Sequence, residues 1–515
     1  MTRPSARRKV GIVLVCVLAQ LLIAVDMTVL HLAIPALSEA LHPSTTQVLW
    51  IADGYGFALA GLLITMGNLG DRIGRKKLLL TGAALFGIAS IGTAYAPTAE
   101  LLIVARVLLG VAASTLMPST LSIIRNAFTG KERTAVIGLS SGLTILGFGL
   151  GPLIGGALLG HFWWGSVFLV NVPVVALLLV AGALVLPESR NPSPGRIDVL
   201  SVALSVLGML GIVYTIKEVA YKGFAHWDVG VAAVIGVAGL VTFLLRQPRL
   251  AEPLVDLALF RRRAFSATIG TTVVAMFAQL AVSIFATQYF QLVLGWSPLK
   301  SGLAGLPGMG GALVGGVLSG LAIKKFGRAA TMAAGCALSA AGFALYSRIE
   351  VATGYPYLVV TMVVFGLGLA LIITVATDTV LGVVPRERAG AASAISETAT
   401  ELGGALGIAI LGSVLGALYR DNLALPPGLP PEAATAARET LGGAAQAAVQ
   451  LPGELGAQLF ANARQAFVSG VQVSLLASMV LMALLAVASY PALRSVPKIL
   501  EDPDAEDAPV TPAAV

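Results

Sequence analysis

Residues 67–77 read Gly67-Asn68-Leu69-Gly70-Asp71-Arg72-Ile73-Gly74-Arg75-Lys76-Lys77, a short basic connection between the long apolar runs 48–69 and 78–96. Each run is close to the roughly 20 residues that a helix needs to cross a bilayer. A related stretch, Gly320-Leu321-Ala322-Ile323-Lys324-Lys325-Phe326-Gly327-Arg328, stands 253 positions later (320 against 67). The connection Lys131-Glu132-Arg133 is echoed at nearly the same offset by Arg386-Glu387-Arg388. Two echoes at nearly the same offset imply two homologous halves. Repeated halves around a midplane site are a transporter design, because rocking one half on the other alternates access to the site.

Outward from this loop, apolar runs recur near 10–33, 48–69, 78–96, 101–122, 134–157, 165–186, 198–219, 229–245, 264–291, 301–323, 330–347, 357–381, 391–418 and 468–490, which predicts fourteen transmembrane helices. The run 229–245 is the shortest and is broken by glycine. Composition agrees: of the 515 residues 57% are hydrophobic and only 11% charged, against about a quarter charged in soluble domains. That excludes a soluble globular protein, a disordered chain and a small disulfide scaffold. Cys16 and Cys336 lie in apolar runs and read as buried hydrophobes. Histidines at 31, 42, 161 and 226 have no metal-ligand spacing. The first run has a basic flank like that of a signal peptide, but Asp26 and the absence of a small-residue cleavage site argue against its removal.

Lysine and arginine set the direction of insertion. Arg7, Arg8 and Lys9, then Arg72, Arg75, Lys76 and Lys77, then Arg261, Arg262 and Arg263, fall on the same side if both termini are cytoplasmic. The net charge of +7 therefore reports topology and does not call for nucleic acid. The expected organisation is a six-helix half over 1–190, two inserted helices within 191–260, and a second six-helix half over 261–490. An outer loop, 419–467, carries two Ala-rich helical stretches around 431–447 and 453–466, separated by Leu451-Pro452-Gly453. They predict an extracellular helical hairpin, either a cap on the outer vestibule or a tethered appendage. The acidic, Pro/Ala-rich tail within 491–515 reads as disordered.

Several motifs together resemble the major facilitator superfamily, and within it the fourteen-span drug:proton antiporter family. The narrower likeness is to exporters of quaternary ammonium compounds, methyl viologen and intercalating dyes. The motifs are Val25-Asp26-Met27-Thr28-Val29-Leu30-His31 with Ala33 and Pro35, the loop Gly67 to Lys77, Arg106 with Gly110, and Gly147-Phe148-Gly149-Leu150-Gly151-Pro152-Leu153-Ile154-Gly155-Gly156. The run Trp164 to Pro173, with Phe168 and Asn171, and the run Glu252 to Phe265 belong to the same resemblance. It implies an all-α membrane protein with the major facilitator fold, two six-helix bundles plus two inserted helices. It also implies a proton-coupled efflux antiporter of the inner membrane, with protons, lipophilic organic cations and membrane lipids as partners, no cofactor, and a monomeric state.

The residues suit that chemistry. An ionisable group at mid-membrane costs about 2.5–3.5 kcal/mol on insertion scales, so Asp26, Asp53, Arg106, Asp378, Glu397 and Glu401 must face a cavity or a partner. Glu397 and Glu401 are four apart and share a helix face. Two carboxylates that close in a low-dielectric cavity cannot easily both ionise, so one keeps a proton that an organic cation can displace. Asp26 and Arg106 are either a releasable pair that moves when Asp26 takes a proton, or a permanent tie between two helices. Asp53, with Trp50 and Phe57 on its face and Tyr55 nearby, suits a delocalised cation, or else marks an interfacial aromatic belt. Phe285 and Tyr289, with Gln288 and Gln291, offer an apolar stripe for a promiscuous pocket or for core packing. Asp378 either belongs to the inner mouth or only marks a helix end, and His31 is either a hydrogen-bonded vestibule residue or a proton relay.

Two motifs predict gating. Asp71, flanked by Arg72 and Arg75 before and after the turn at Gly74, can pair with an arginine or face a helix amino terminus across the seam between halves. Lys324 stands where Asp71 would repeat, so a symmetric second latch is not expected. Gly147, Gly151 and Gly155 line one helix face for close approach, with Pro152 permitting a bend. No Gly-x4-Gly-Lys-Ser/Thr loop for nucleotide occurs, and nothing reads as a catalytic triad. The rival reading is a dedicated exporter of an endogenous antibiotic or a lipid.

Overall fold

The computed structural model describes residues 5–190, 198–222, 226–251, 253–384 and 388–497. Glu252, Arg386, Glu387 and the tail from Glu501 fall outside these ranges, as do the side chains of His31, Pro35, Phe148 and Pro152. The chain is helical, and among the described residues fourteen helices are long and apolar enough to cross a membrane. The first half runs through α1 (Ala6–Leu41), α2 (Thr45–Ile73), α3 (Arg75–Ala94), α4 (Ala99–Ala127), α5 (Gly130–Leu159), the short α6 (Ser166–Leu169) and α7 (Asn171–Val185). Next come α8 (Val199–Lys222) and α9 (Trp227–Arg246). The second half has α10 (Arg263–Gln288), α11 (Pro298–Ala304), α12 (Leu306–Phe326), α13 (Arg328–Tyr346), α14 (Tyr355–Gly382), α15 (Ala389–Asn422) and α18 (Gly453–Leu493). Between α15 and α18 lie α16 (Pro431–Glu439) and α17 (Leu441–Gln450).

Local chemistry sets the ends of these helices. Ser44 and Gln47 form a reciprocal capping box that starts α2. Gly74 separates α2 from α3 at φ +113°, and Gly327 separates α12 from α13 at φ +87°. Only glycine adopts that region without strain. The two glycines are 253 positions apart (327 against 74), so the echo in sequence is an echo in backbone conformation.

The packing repeats as well. In the first half α2 and α3 lie on α4, α1 on α5 and α3 on α7; in the second α12 and α13 lie on α14, α10 on α15 and α13 on α18. The halves meet along two seams, α2 with α15 and α5 with α12. Lipid supplies no hydrophobic drive for helix association, so small residues that let backbones touch do much of this work. A Cβ on Gly67 would sit 2.5 Å from the Gly390 carbonyl oxygen, and one on Gly390 2.4 Å from that of Gly67. Gly138 and Gly316 face each other in the same way at 2.1 and 2.2 Å. Both glycine pairs lie towards the end of the bundle that carries the basic loops, called here the basic end.

Of the inserted pair, α8 packs on α9 and wedges against both α2 and α15. Arg246 of α9 donates to the Asp198 carboxylate just before α8, at 2.7 and 3.2 Å. With the Ser201 hydroxyl, that guanidinium holds the Asp198 carboxyl down at about 2. The glycine-broken run 229–245 is thus a full helix of 20 residues.

The loop between α15 and α18 departs from expectation. Its first helical stretch breaks at Thr440, whose side chain accepts from the Gly443 N–H and so starts a new helix. Its second stretch is no separate element, because α18 runs unbroken from Gly453 into the last span and on to Leu493. The hairpin is therefore α16 with α17, packed through Ala437, Leu441, Ala444 and Ala447 onto the core of the second half.

Candidate functional site

Asp26 is fully buried, at 0% exposure. Its carboxylate accepts from Arg106 Nη1 at 2.9 Å and from Asn171 Nδ2 at 2.9 Å, and Asn171 also donates to Ser90 Oγ at 3.1 Å. Helices α1, α3, α4 and α7 thus converge on one ion pair. Arg106 donates through Nε to the Ile51 carbonyl and lies 4.8 Å from the Tyr55 ring centroid and 5.9 Å from that of Phe168. Gly110, one turn along the same face of α4, explains the motif spacing: a Cβ there would meet the Tyr55 carbonyl at 2.2 Å. The missing side chain brings α4 onto the α2 backbone, and that contact sets Arg106 over the ring. Asn171 and Phe168 were visible in the sequence only as marks of resemblance. Their contacts with Asp26 and Arg106 come from the turn between α6 and α7, which no periodicity predicts.

Across the α2–α15 seam, Glu397, Thr400 and Glu401 keep partial exposure while residues 392–396, 398–399 and 403–405 are buried. One face of α15 therefore borders open space, and it carries both carboxylates, which act on each other electrostatically. Glu401 also lies within electrostatic reach of Tyr55. On the other side of the seam, Trp50 and Phe57 of α2 stand edge to face at 5.6 Å, with the Tyr214 ring of α8 at 6.4 and 6.1 Å from them. Phe57, Val213, Tyr214 and Leu402 pack together, so α8 forms part of the wall. The Tyr214 hydroxyl shares a hydrogen bond with the Asp228 carboxylate of α9 at 3.1 Å. Asp53 is partly buried, one turn from both Trp50 and Phe57. Sequence reasoning missed Tyr214 because its role depends on where the inserted helices dock.

Phe285 and Tyr289 do not join this group. They are buried in the core of the second half, against Tyr346, Ile349, Val471 and Leu475, around a small apolar cavity between α10, α13 and α18. The Tyr289 hydroxyl donates to the Glu350 carbonyl at 2.6 Å.

At the basic end the halves are locked together. Asp71 accepts from Arg75 Nε and Nη2 at 2.9 and 2.7 Å, and from the Gly390 and Ala391 N–H groups at 3.1 and 3.2 Å. It thus pairs with an arginine and also caps the amino terminus of α15 in the other half, where a negative charge is favoured. Arg72, partly exposed, lies in the last turn of α2.

A second ionic crossing exists after all. Arg328, which echoes Arg75, finds its acid on α14: Asp378 accepts from Arg328 Nη2 at 2.7 Å, from Arg133 Nε of the first half at 2.8 Å and from the Thr134 hydroxyl at 2.8 Å. Asp378 is fully buried, so it is the hub of a crossing and more than a helix end. Arg125 of α4 adds two bonds to the Leu381 and Val384 carbonyls at the end of α14.

The glycines of α5 serve two partners. Gly147, Gly151 and Gly155 face α1, where Cβ atoms would meet Ala24, Thr28 and Val29 at 2.9, 1.9 and 2.8 Å. That contact lies inside one half. Gly138, Gly142 and Gly149 face α12 across the seam. In α15, Gly403 and Gly407 repeat the first arrangement against α10. Helix α5 continues through position 152 without a break.

The Major Facilitator Superfamily profile matches residues 16–408. The multidrug efflux pump LfrA of Mycolicibacterium smegmatis is 42% identical over 488 residues, covering 94% of this chain and 96% of that protein. The methyl viologen resistance protein SmvA of Salmonella typhimurium is 34% identical over 477 residues, covering 92% and 96%. Among solved structures, the human organic anion transporter MFSD10 superposes with a TM-score of 0.59 at 15% identity over 93% of this chain and 100% of its own, a likeness of fold alone. Twelve helices in two packed halves, two more wedged beside one seam, and full-length similarity to efflux proteins agree: the chain belongs to the Major Facilitator Superfamily, as a multi-pass membrane transporter related to multidrug efflux pumps and not an enzyme.

Proposed function

We propose that this transporter expels lipophilic organic cations in exchange for protons, and that the acids of the α2–α15 seam carry the exchange. The observation that bears most weight is the pair of partly exposed carboxylates on one face of α15, Glu397 and Glu401, at the seam with α2, the helix that carries Trp50 and Phe57. A delocalised cation gains charge attraction from the acids and cation–π attraction from the rings, and it competes with the proton that two adjacent carboxylates retain. Multidrug efflux by LfrA and methyl viologen resistance by SmvA support the same cargo class. The transmembrane potential supplies about 2.3 kcal/mol per charge per 100 mV, enough for one or two protons to drive a substantial gradient.

In this reading Asp26, Arg106, Glu397 and Glu401 handle protons. Glu397, Glu401, Asp53, Trp50, Phe57 and Tyr55 line the cargo path. Gly67, Asp71, Arg72, Gly74 and Arg75 latch the basic end, and Gly147, Gly151, Pro152 and Gly155 of α5 complete the gating motif. The basic end faces the cytoplasm with both termini, following the lysine and arginine bias. The rocking units are 1–190 and 261–490, with the pair within 191–260 beside the α2–α15 seam, and the protein works as a monomer in lipid. Ethidium efflux from proteoliposomes under an imposed pH gradient tests this. Wild type follows the gradient, while Glu401→Gln and Asp26→Asn lose gradient-driven efflux; efflux that ignores the gradient, or survives both substitutions, would falsify the assignment.

A further inference from the structure

Asp26 is sealed from solvent by Arg106, Asn171 and the helices around them, whereas Glu401 borders open space on the other half. Antiport requires that the state of one be felt by the other. Between them lies Tyr55, 2% exposed, and among the described residues its hydroxyl has no hydrogen-bond partner. An unpartnered buried hydroxyl costs on the order of 1–3 kcal/mol, so a hydroxyl kept there points to a partner it takes up in another state. Two contacts fix the ring: the guanidinium of Arg106 lies 4.8 Å from its centroid, and α4 rests on its backbone at Gly110. Of the elements packed around α2, α1 brings Asp26, α4 brings Arg106 and α15 brings Glu401 to act on this hydroxyl.

We propose that Tyr55 is the positioning residue that couples the Asp26–Arg106 pair of the first half to Glu401 of the second, its hydroxyl donating to the Glu401 carboxylate when that group is charged and letting go when a proton or an organic cation neutralises it. The inference rests on the proposed antiport and adds the route by which its two acid sites communicate. Because the same ring carries Arg106, gain or loss of the hydroxyl's bond shifts the ring and changes how firmly Arg106 holds Asp26. Cargo on Glu401 and a proton on Asp26 thereby become alternatives that one rigid side chain senses. No proton leaves Tyr55 in this scheme; its O–H only changes acceptor.

Tyr55→Phe tests the idea, since it keeps the ring and the cation–π contact and removes only the hydroxyl. Thermal melting is expected to match wild type. Gradient-driven efflux is expected to fall by about tenfold or more, the worth of one hydrogen bond to a charged group, and to lose its pH dependence. A Tyr55→Phe protein with the wild-type pH profile and full gradient-driven efflux overturns the proposal.

If that variant does not fold, tyrosine ring-carbon NMR of the wild type and of Glu401→Gln decides. One tyrosine resonance must shift when ethidium is added to wild type and stay still in Glu401→Gln; the same shift in both, or none in either, overturns the proposal. The two ideas fail separately. A wild type without gradient-driven ethidium efflux sinks the antiport reading, whereas the NMR comparison still reports on the link between Tyr55 and Glu401.

Discussion

Asp26 and Arg106 lie where a lone charge is least tolerated, at 0% and 1% exposure. Removing one member of a buried pair costs about 3–5 kcal/mol, because the other is left uncompensated. Arg106→Gln is therefore expected to lower the melting temperature in detergent sharply, and the double change with Asp26→Asn to recover most of the loss. A double variant no more stable than Arg106→Gln would show that the pair is not the source of the cost. These residues were legible as candidates because charge inside an apolar run demands a partner, and Arg106 was the natural partner for Asp26. Asn171, Phe168 and Tyr214 were not legible as contacts. Each is an ordinary residue for a membrane helix and gains its role only from the helix that docks beside it.

Among the helices, the closure of the basic end depends on backbones that touch. A valine at Gly138 would place its Cβ 2.1 Å from the Gly316 carbonyl oxygen. Gly138→Val is thus expected to hold α5 off α12 and shift the population towards a form open at the basic end, read by spin-label distances between the basic ends of α2 and α15. Gly92→Ala, where nothing lies within 4 Å, serves as the neutral control. If the distance distribution of Gly138→Val matches that of the control, the seam is not closed by glycine. The glycines of 147–155 stood out in the sequence through their spacing, yet that spacing could not say whether they face the partner half or their own. The structure turns Gly147, Gly151 and Gly155 to α1, and the seam takes Gly138, Gly142 and Gly149.

For the molecule as a whole, the hairpin α16–α17 and the inserted pair α8–α9 are additions to two pseudo-symmetric halves, and they are joined differently. The hairpin packs on α15, α18 and the turn after α10, all in the second half. Replacing 425–451 by a short flexible linker is expected to lower thermal stability and leave gradient-driven efflux intact; loss of efflux with a fully folded protein would make the hairpin part of the outer gate. The inserted pair touches both sides of the α2–α15 seam. Its Asp198–Arg246 tie holds above the ordinary carboxylate range and is lost only as pH falls towards about 2. Assays in the neutral range therefore leave that contact unchanged, and a pH effect on transport there has to come from elsewhere.

The sequence by itself determined the fourteen spans, the halves repeated at an offset of 253 and the acids that need partners, because length, hydropathy and charge act locally along a chain in lipid. Only the tertiary structure decided which acid meets which arginine. Asp378 on α14 takes the part that Lys324 cannot, and Phe285 and Tyr289 turn away from the seam, because docking between distant helices sets those neighbours and no periodicity along one helix encodes them.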